Sequence, residues 1–295
     1  MNRTEPTGEK QQSKKLSVLW RQRDLTGKIL MIVAAMMVIY HFLYVSQVLA
    51  RCGIYIMVGA HRGLSLCFML VITFLTARAK KGTKLPWYDI VLILISVAGA
   101  GYYFVFFRQA NYHLQQGVVT TTETILFWLL LVALLEAGRR LMGLTLPIIV
   151  LFFVFHALFT NYFPGVLSGR AFSMERLVQS FYLGTEGIFG VPFGTAATIV
   201  VVFVAFAELL RESGAADFFL NLAMALFGTV KGGPAKIAVF GSALFATISG
   251  SPTANVAGTG TVTIPLMKSV GYKPHFAAAV EAVASKGGQI TPPVM

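Results

Sequence analysis

The stretch from Ala235 to Met267, AKIAVFGSALFATISGSPTANVAGTGTVTIPLM, decides the fold. Its 33 residues carry one charged side chain, Lys236. As a single straight helix they would run roughly 50 Å at 1.5 Å per residue, whereas the hydrocarbon core of a bilayer is about 30 Å thick. The middle portion, Ala246 to Thr263, holds only Ile248, Val256 and Val262 as larger aliphatic residues among Gly, Ala, Ser, Thr, Pro and Asn. Such a composition predicts that the helix breaks inside the membrane. Lys231 and Lys236 precede the stretch and Lys268 and Lys273 follow it, so the positive-inside rule places both ends on the cytoplasmic side. The expected structure is a re-entrant helical hairpin with a polar, unwound tip. A small-residue surface for tight helix packing would account for the Gly and Ala, but not for Pro252, Asn255 or the matched basic ends.

Non-helical backbone persists at membrane depth only where protein buries it or it lines a water-filled cavity, because each unpaired N–H or C=O in lipid costs several kcal/mol. A tip rich in Ser, Thr and Asn therefore implies a cavity. In secondary transporters such breaks offer carbonyls and hydroxyls to Na⁺ and half-helix N-termini to anions.

Hydrophobic residues form 56% of the chain and charged residues only 12%, which places it among membrane proteins. The net charge of +12 would suggest nucleic acid in a soluble protein. Here the basic residues flank apolar spans, so topology and an anionic inner leaflet explain them, and no nucleic-acid partner is expected. Residues 1–28 read as a polar cytoplasmic tail. Spans follow at about 29–50, 63–78, 88–107, 124–142, 145–162 and 188–210. Thirteen Lys and Arg fall in loops assigned inside, including Arg78, Lys80, Lys81 and Lys84, against five outside, which supports a cytoplasmic N-terminus. Phe172–Leu183 reads as an amphipathic segment on the outer side, and Ala215–Gly228, with Asp217 and Asn221 on one face, as an interfacial helix.

Other polar residues have plainer readings. His61 and Arg62, at the mouth of the second span, are expected to snorkel to the interface. Glu123, Glu136 and Glu208 lie near span ends and read as solvated or interfacial. Trp20, Trp87, Tyr88, Tyr102, Tyr103 and Tyr162 fit interfacial belts. The five histidines show no metal spacing, Cys52 and Cys67 no disulfide or zinc pattern, and no phosphate loop or HExxH motif is present. No enzyme is expected. Two roles are open to Glu281, just before the Gly287-Gly288 break: proton carrier or structural hydrogen-bond partner.

Three stretches, YLGTEGIFGVPFGTAAT (Tyr182–Thr198), GGPAKIAVFGSALFATISGSPTANVAGTGTVTIPLMKSVGY (Gly232–Tyr272) and AAAVEAVASKGGQITPPVM (Ala277–Met295), resemble a fused TRAP transporter permease of the TAXI-type branch. The resemblance covers the chain from about Trp87 onward, and more loosely before it. It implies an all-α, polytopic, elevator-type transporter in a bacterial or archaeal cytoplasmic (inner) membrane, with a small DctQ-like subunit fused to a large DctM-like one. The implied organisation is a tail at 1–28, small-subunit-like helices at 29–123 with the fourth extending as far as 142, scaffold-type helices at 124–230, and the start of a transport domain at 231–295. The family pattern continues through an inverted second half, so the chain reads as an N-terminal fragment.

The implied function is Na⁺-coupled import of organic anions such as carboxylates, delivered by a periplasmic solute-binding protein. Na⁺ is the coupling ion, no other cofactor is implied, and membrane lipid is the surrounding partner. The alternatives are a proton-coupled transporter and an ion channel. The resemblance assigns ion and substrate binding to Ser249, Gly250, Ser251, Asn255, Gly258, Thr259 and Thr261, and to Gly287, Gly288, Gln289, Thr291, Pro292 and Pro293.

Overall fold

A computed structural model describes residues 25–78 and 86–291. Every regular element among them is helical. The α-helices in chain order are α1 (Leu25–Val45), α2 (Val48–Arg51), α3 (Val58–Thr76), α4 (Trp87–Val105), α5 (Phe107–Gln116), α6 (Thr121–Met142), α7 (Thr145–Phe159) and α8 (Met174–Val178), then α9 (Val191–Thr195), α10 (Val201–Glu212), α11 (Ala215–Phe227), α12 (Gly233–Ser249), α13 (Pro252–Ser269) and α14 (Pro274–Ser285). Five stretches are long and apolar enough to cross a bilayer: Thr26–Val45, Val58–Thr76, Trp87–Val105, Thr145–Tyr162 and Val191–Leu210. The bent pair of α5 and α6, at 111°, adds a sixth. The chain is an all-α, multi-pass membrane protein.

Its contacts divide it into two compact units, residues 1–198 and 199–295. The first has a conventional apolar core. Phe74, Tyr103, Phe127, Leu130, Tyr182 and Phe189 are essentially inaccessible, and the rings of Tyr103 and Phe189 stack at 3.9 Å. The two buried phenols find main-chain acceptors: Tyr182 donates to the Gly99 carbonyl at 2.7 Å and Tyr103 to that of Leu183 at 3.1 Å. Small residues let helices approach. A Cβ on Gly63 would lie 2.9 Å from the Phe104 amide, and one on Gly99 2.9 Å from the Leu130 Cβ.

Three expectations fail in this unit, each because packing outweighs amphipathic placement. Tyr103 is a core residue rather than an interfacial one. Glu123 is fully buried: with Thr120 it forms the capping box of α6, and it accepts from His113 Nδ1 at 2.9 Å. His61 is also fully buried, bonded to the Tyr40 hydroxyl at 2.9 Å and the Ala197 carbonyl at 3.2 Å. Arg62 turns inward as well, donating from Nη1 to the Phe189 carbonyl at 2.7 Å. Glu136 is met by Arg139 and Arg140, and Arg140 also binds the buried Asp89 at 2.6 Å.

The second unit packs differently. α12 lies against α11, where Gly241 meets Leu220 and Ala223, and against α13 and α14. Its buried apolar residues are mostly small or aliphatic: Ala223, Ala238, Ala246 and Ala277 with Leu220, Ile237 and Met267, and Phe245 is its one fully buried aromatic ring among the described residues.

Candidate functional site

The hairpin is present, but its tip is far smaller than expected. α12 ends at Ser249, Gly250 adopts φ +58°, and Ser251 is the extended N-cap of α13, its hydroxyl accepting from the Ala254 amide at 3.4 Å. The break is thus two residues long. Residues 252–263 of the expected unwound stretch form the first turns of an 18-residue helix. Proline explains the difference: Pro252 sits at the first helical position, where its missing N–H costs nothing, so it starts α13 instead of breaking it. The left-handed turn needs a residue without Cβ strain, and Gly250 supplies it. At about 25 Å and 27 Å, the arms are each close to the thickness of the hydrocarbon core.

Close packing of the arms rests on glycine. A Cβ on Gly258 would lie 2.8 Å from the Phe245 ring, and one on Gly260 3.2 Å from Glu281 Cγ. Asn255 is fully buried and ties three segments together. Its Oδ1 accepts from Ser249 Oγ at 3.1 Å, while Nδ2 donates to the carbonyls of Ser242 at 3.0 Å and Ser285 at 3.4 Å. It therefore joins the tip, the first arm and the end of α14.

After α14 the chain tightens into a 3₁₀ turn, Lys286–Gln289, as the Gly-Gly spacing leads one to expect. Gly288 is buried against the hairpin tip: a Cβ there would lie 3.0 Å from the Ser251 carbonyl carbon. Thr291 donates to the Gly287 carbonyl at 2.6 Å. Ser249, Gly250, Ser251, Asn255, Gly287 and Gly288 thus converge. Thr261 and Gln289 do not, being exposed; Thr261 bonds only its own helix, at the Gly258 carbonyl. Pro292 and Pro293 lie outside the described residues. A small cavity of about 50 Å³ beside the tip is lined by Val204, Glu208, Phe245, Ser249 and Ala254, among others.

The sequence reading missed the densest polar cluster. Glu281 is fully buried and accepts four hydroxyl bonds: from Ser242 at 2.9 Å, Thr259 at 2.6 Å and Ser285 at 3.0 Å on Oε1, and from Thr263 at 2.5 Å on Oε2. These hydroxyls come from both hairpin arms and from α14 itself. Of the two roles open to Glu281, the geometry displays the hydrogen-bonding one. Thr259 with Thr263, and Glu281 with Ser285, are four apart and share helix faces, a signal that was in the sequence. Among the described residues no three of His, Cys, Asp and Glu gather as a metal group.

Residues 129–295, more than half of the chain, match the family model for the DctM component of the tripartite ATP-independent periplasmic transporters. The chain belongs to this family. TRAP permeases are transporters rather than enzymes, and the hairpin, its tip and the Glu281 cluster all fall inside the matched region. The chain is 38% identical over 91 residues to the isethionate TRAP transporter permease protein DctMQ of Oleidesulfovibrio alaskensis, covering 31% of this chain and 14% of that one. It is 34% identical over 91 residues to the C4-dicarboxylate TRAP transporter large permease protein DctM of Rhodobacter capsulatus, covering 31% and 21%. An uncharacterized Salmonella typhimurium protein, YgiK, is 31% identical over 117 residues, covering 39% and 25%. The chain spans a quarter or less of the length of each of these three relatives. No solved structure matches it significantly.

Proposed function

We propose that this TRAP permease chain acts in Na⁺-coupled uptake of organic anions, such as carboxylates, across a bacterial or archaeal cytoplasmic membrane, receiving them from a periplasmic solute-binding protein. The observation that carries the reading is the meeting of helix ends at one small tip. The carbonyl end of α12 stops at Ser249, and the closing turn of α14 brings Gly288 against Ser251. Carbonyl ends carry partial negative charge and favour a cation, while the amide end of α13, starting at the same tip, favours an anion.

Ser249, Ser251 and Thr253 at the tip are neutral oxygen donors suited to Na⁺, and Glu208 adds a carboxylate to the lining of the cavity beside Ser249. The cavity beside Ser249 has room for a small ion or a water molecule. Relatives named for isethionate and C4-dicarboxylates, both anionic, support the substrate class. The name DctMQ of one relative accords with a small-subunit-like region at 29–123 fused ahead of the large-subunit helices, and the motif resemblance points to the TAXI-type branch and to elevator motion of the hairpin unit. The count of basic residues in the loops supports a cytoplasmic N-terminus.

In proteoliposomes holding the permease and its binding protein, uptake should require an inward Na⁺ gradient and drop at least tenfold when Na⁺ is replaced by choline. Equal uptake driven by a proton gradient alone would overturn Na⁺ coupling, and a steady ionic current without substrate would indicate a channel.

A further inference from the structure

Two cavities in the first unit adjoin at Glu186. One, of about 420 Å³, has a mixed lining, with Arg176, Gln179, Ser180, Thr185 and Glu186 beside Leu114 and Phe172. The second, of about 450 Å³, is a groove between α6 and α7. Its walls include Leu131, Leu134 and Gly138 from one face of α6 and Pro147, Val150 and Val154 from α7. Glu186 lines both and is the one charged group in the apolar groove.

The loop that places Glu186 there is tightly built. The chain folds back so that the Ile188 amide donates to the Phe181 carbonyl at 2.8 Å. Gly187 packs so closely on the Phe181 backbone that no Cβ fits. Arg176 and Glu186 are exposed, and neither forms an ion pair among the described residues. Arg176 Cζ lies over the Phe172 ring, 5.1 Å from its centroid, and its guanidinium makes no hydrogen bond among the described residues.

Glu186 thus offers an exposed carboxylate at the head of an apolar groove, beside the exposed cation of Arg176 that lines the adjoining cavity. The complementary occupant carries a cation, an anion and a hydrocarbon chain together. We propose that these adjoining cavities form one binding site for a phospholipid with a primary-ammonium headgroup, its phosphate on Arg176, its ammonium on Glu186 and an acyl chain along the α6–α7 groove. A primary ammonium has N–H donors for Glu186 and for the oxygens of Gln179, Ser180 and Thr185. A choline headgroup has none and is recognised by open aromatic faces, whereas Phe172, the aromatic ring beside Arg176, is covered by it.

The full chain would be placed in nanodiscs of equal parts phosphatidylethanolamine, phosphatidylcholine and phosphatidylglycerol, extracted into mild detergent, and its retained lipid measured by mass spectrometry. Phosphatidylethanolamine should be retained roughly tenfold over phosphatidylcholine, as expected for one charge-assisted hydrogen bond. Glu186→Gln, a conservative change at an exposed position, should erase that preference without lowering phosphatidylglycerol. Arg176→Ala should lower retention of all three lipids, each of which carries a phosphate, and so should Leu134→Trp, which fills the groove. Equal retention of the three lipids by the unaltered chain would overturn the site. So would a preference for phosphatidylglycerol, a Glu186→Gln variant that keeps the ethanolamine preference, or a groove that excludes lipid and instead crosslinks to another polypeptide.

Discussion

The two units bury different chemistry. In residues 1–198 the core is aromatic and aliphatic, with Phe127, Tyr182, Tyr103 and Phe189 linked by ring contacts and the two tyrosine hydroxyls closed on main-chain carbonyls. In residues 199–295 the buried polar set around the hairpin is Ser242, Asn255, Thr259, Thr263, Glu281 and Ser285, beside buried apolar residues that are mostly alanine and aliphatic, with Phe245 the one fully buried ring among the described residues. Lipid tails are as apolar as leucine, so burying hydrocarbon does little to hold membrane helices together. Close backbone approach and hydrogen bonds do that instead. The hairpin unit relies on these through Gly258, Gly260, Gly288 and the Glu281 cluster, and Gly258 packs on the Phe245 ring. The first unit adds large interlocking rings. An aromatic core resists deformation, whereas a small-residue polar interface keeps the hairpin in register through a few directional bonds.

The largest effect should come from emptying the aromatic core. Tyr103→Ala removes a ring stacked on Phe189 and should destabilise the first unit by about 3 kcal/mol, read as a lowered midpoint in thermal unfolding in detergent. Tyr103→Phe keeps the stack and should recover most of that loss. If the two variants are equally damaging, the hydroxyl bond to Leu183 dominates and the contrast between the units fails.

A smaller stability loss, of about 1–3 kcal/mol, is expected for Glu281→Ala, which leaves Ser242, Thr259, Thr263 and Ser285 without their shared acceptor. Glu281→Gln retains an acceptor oxygen and should lose less. Asn255→Ala belongs to the same class, with uptake reduced far more than membrane insertion because the tip, first arm and α14 lose their common tie. Normal uptake by Asn255→Ala at normal expression would mean that the tip does not depend on this residue.

The smallest effect should be that of Thr261→Ala. Its hydroxyl bonds only its own helix and its side chain is exposed, so stability should change by no more than about 0.5 kcal/mol. A loss as large as that of Glu281→Ala would show that the outer face of α13 is packed against something in the working transporter.

Composition and residue spacing were enough to show that the chain is helical and multi-pass, where its apolar spans lie, and that a hairpin turns somewhere within Ala246–Thr263. Local backbone physics converts these features directly into helices, caps and turns. The sequence reading overestimated the unwound stretch because Ser, Thr, Asn and Pro read as breakers in isolation, while at Ser251 and Pro252 they instead cap and start a helix. Tertiary structure alone decided which polar residues meet. Thr259 and Thr261 look alike in sequence, but helical phase buries the first against Glu281 and exposes the second. Glu123, His61 and Tyr103 sit where an amphipathic reading puts them at a surface, yet each is buried because a distant segment supplies its partner or its ring contact: His113, Ala197 and Phe189. A hydrogen bond between helices depends on the rotation of both about their axes, and neither strand of sequence contains the other's phase.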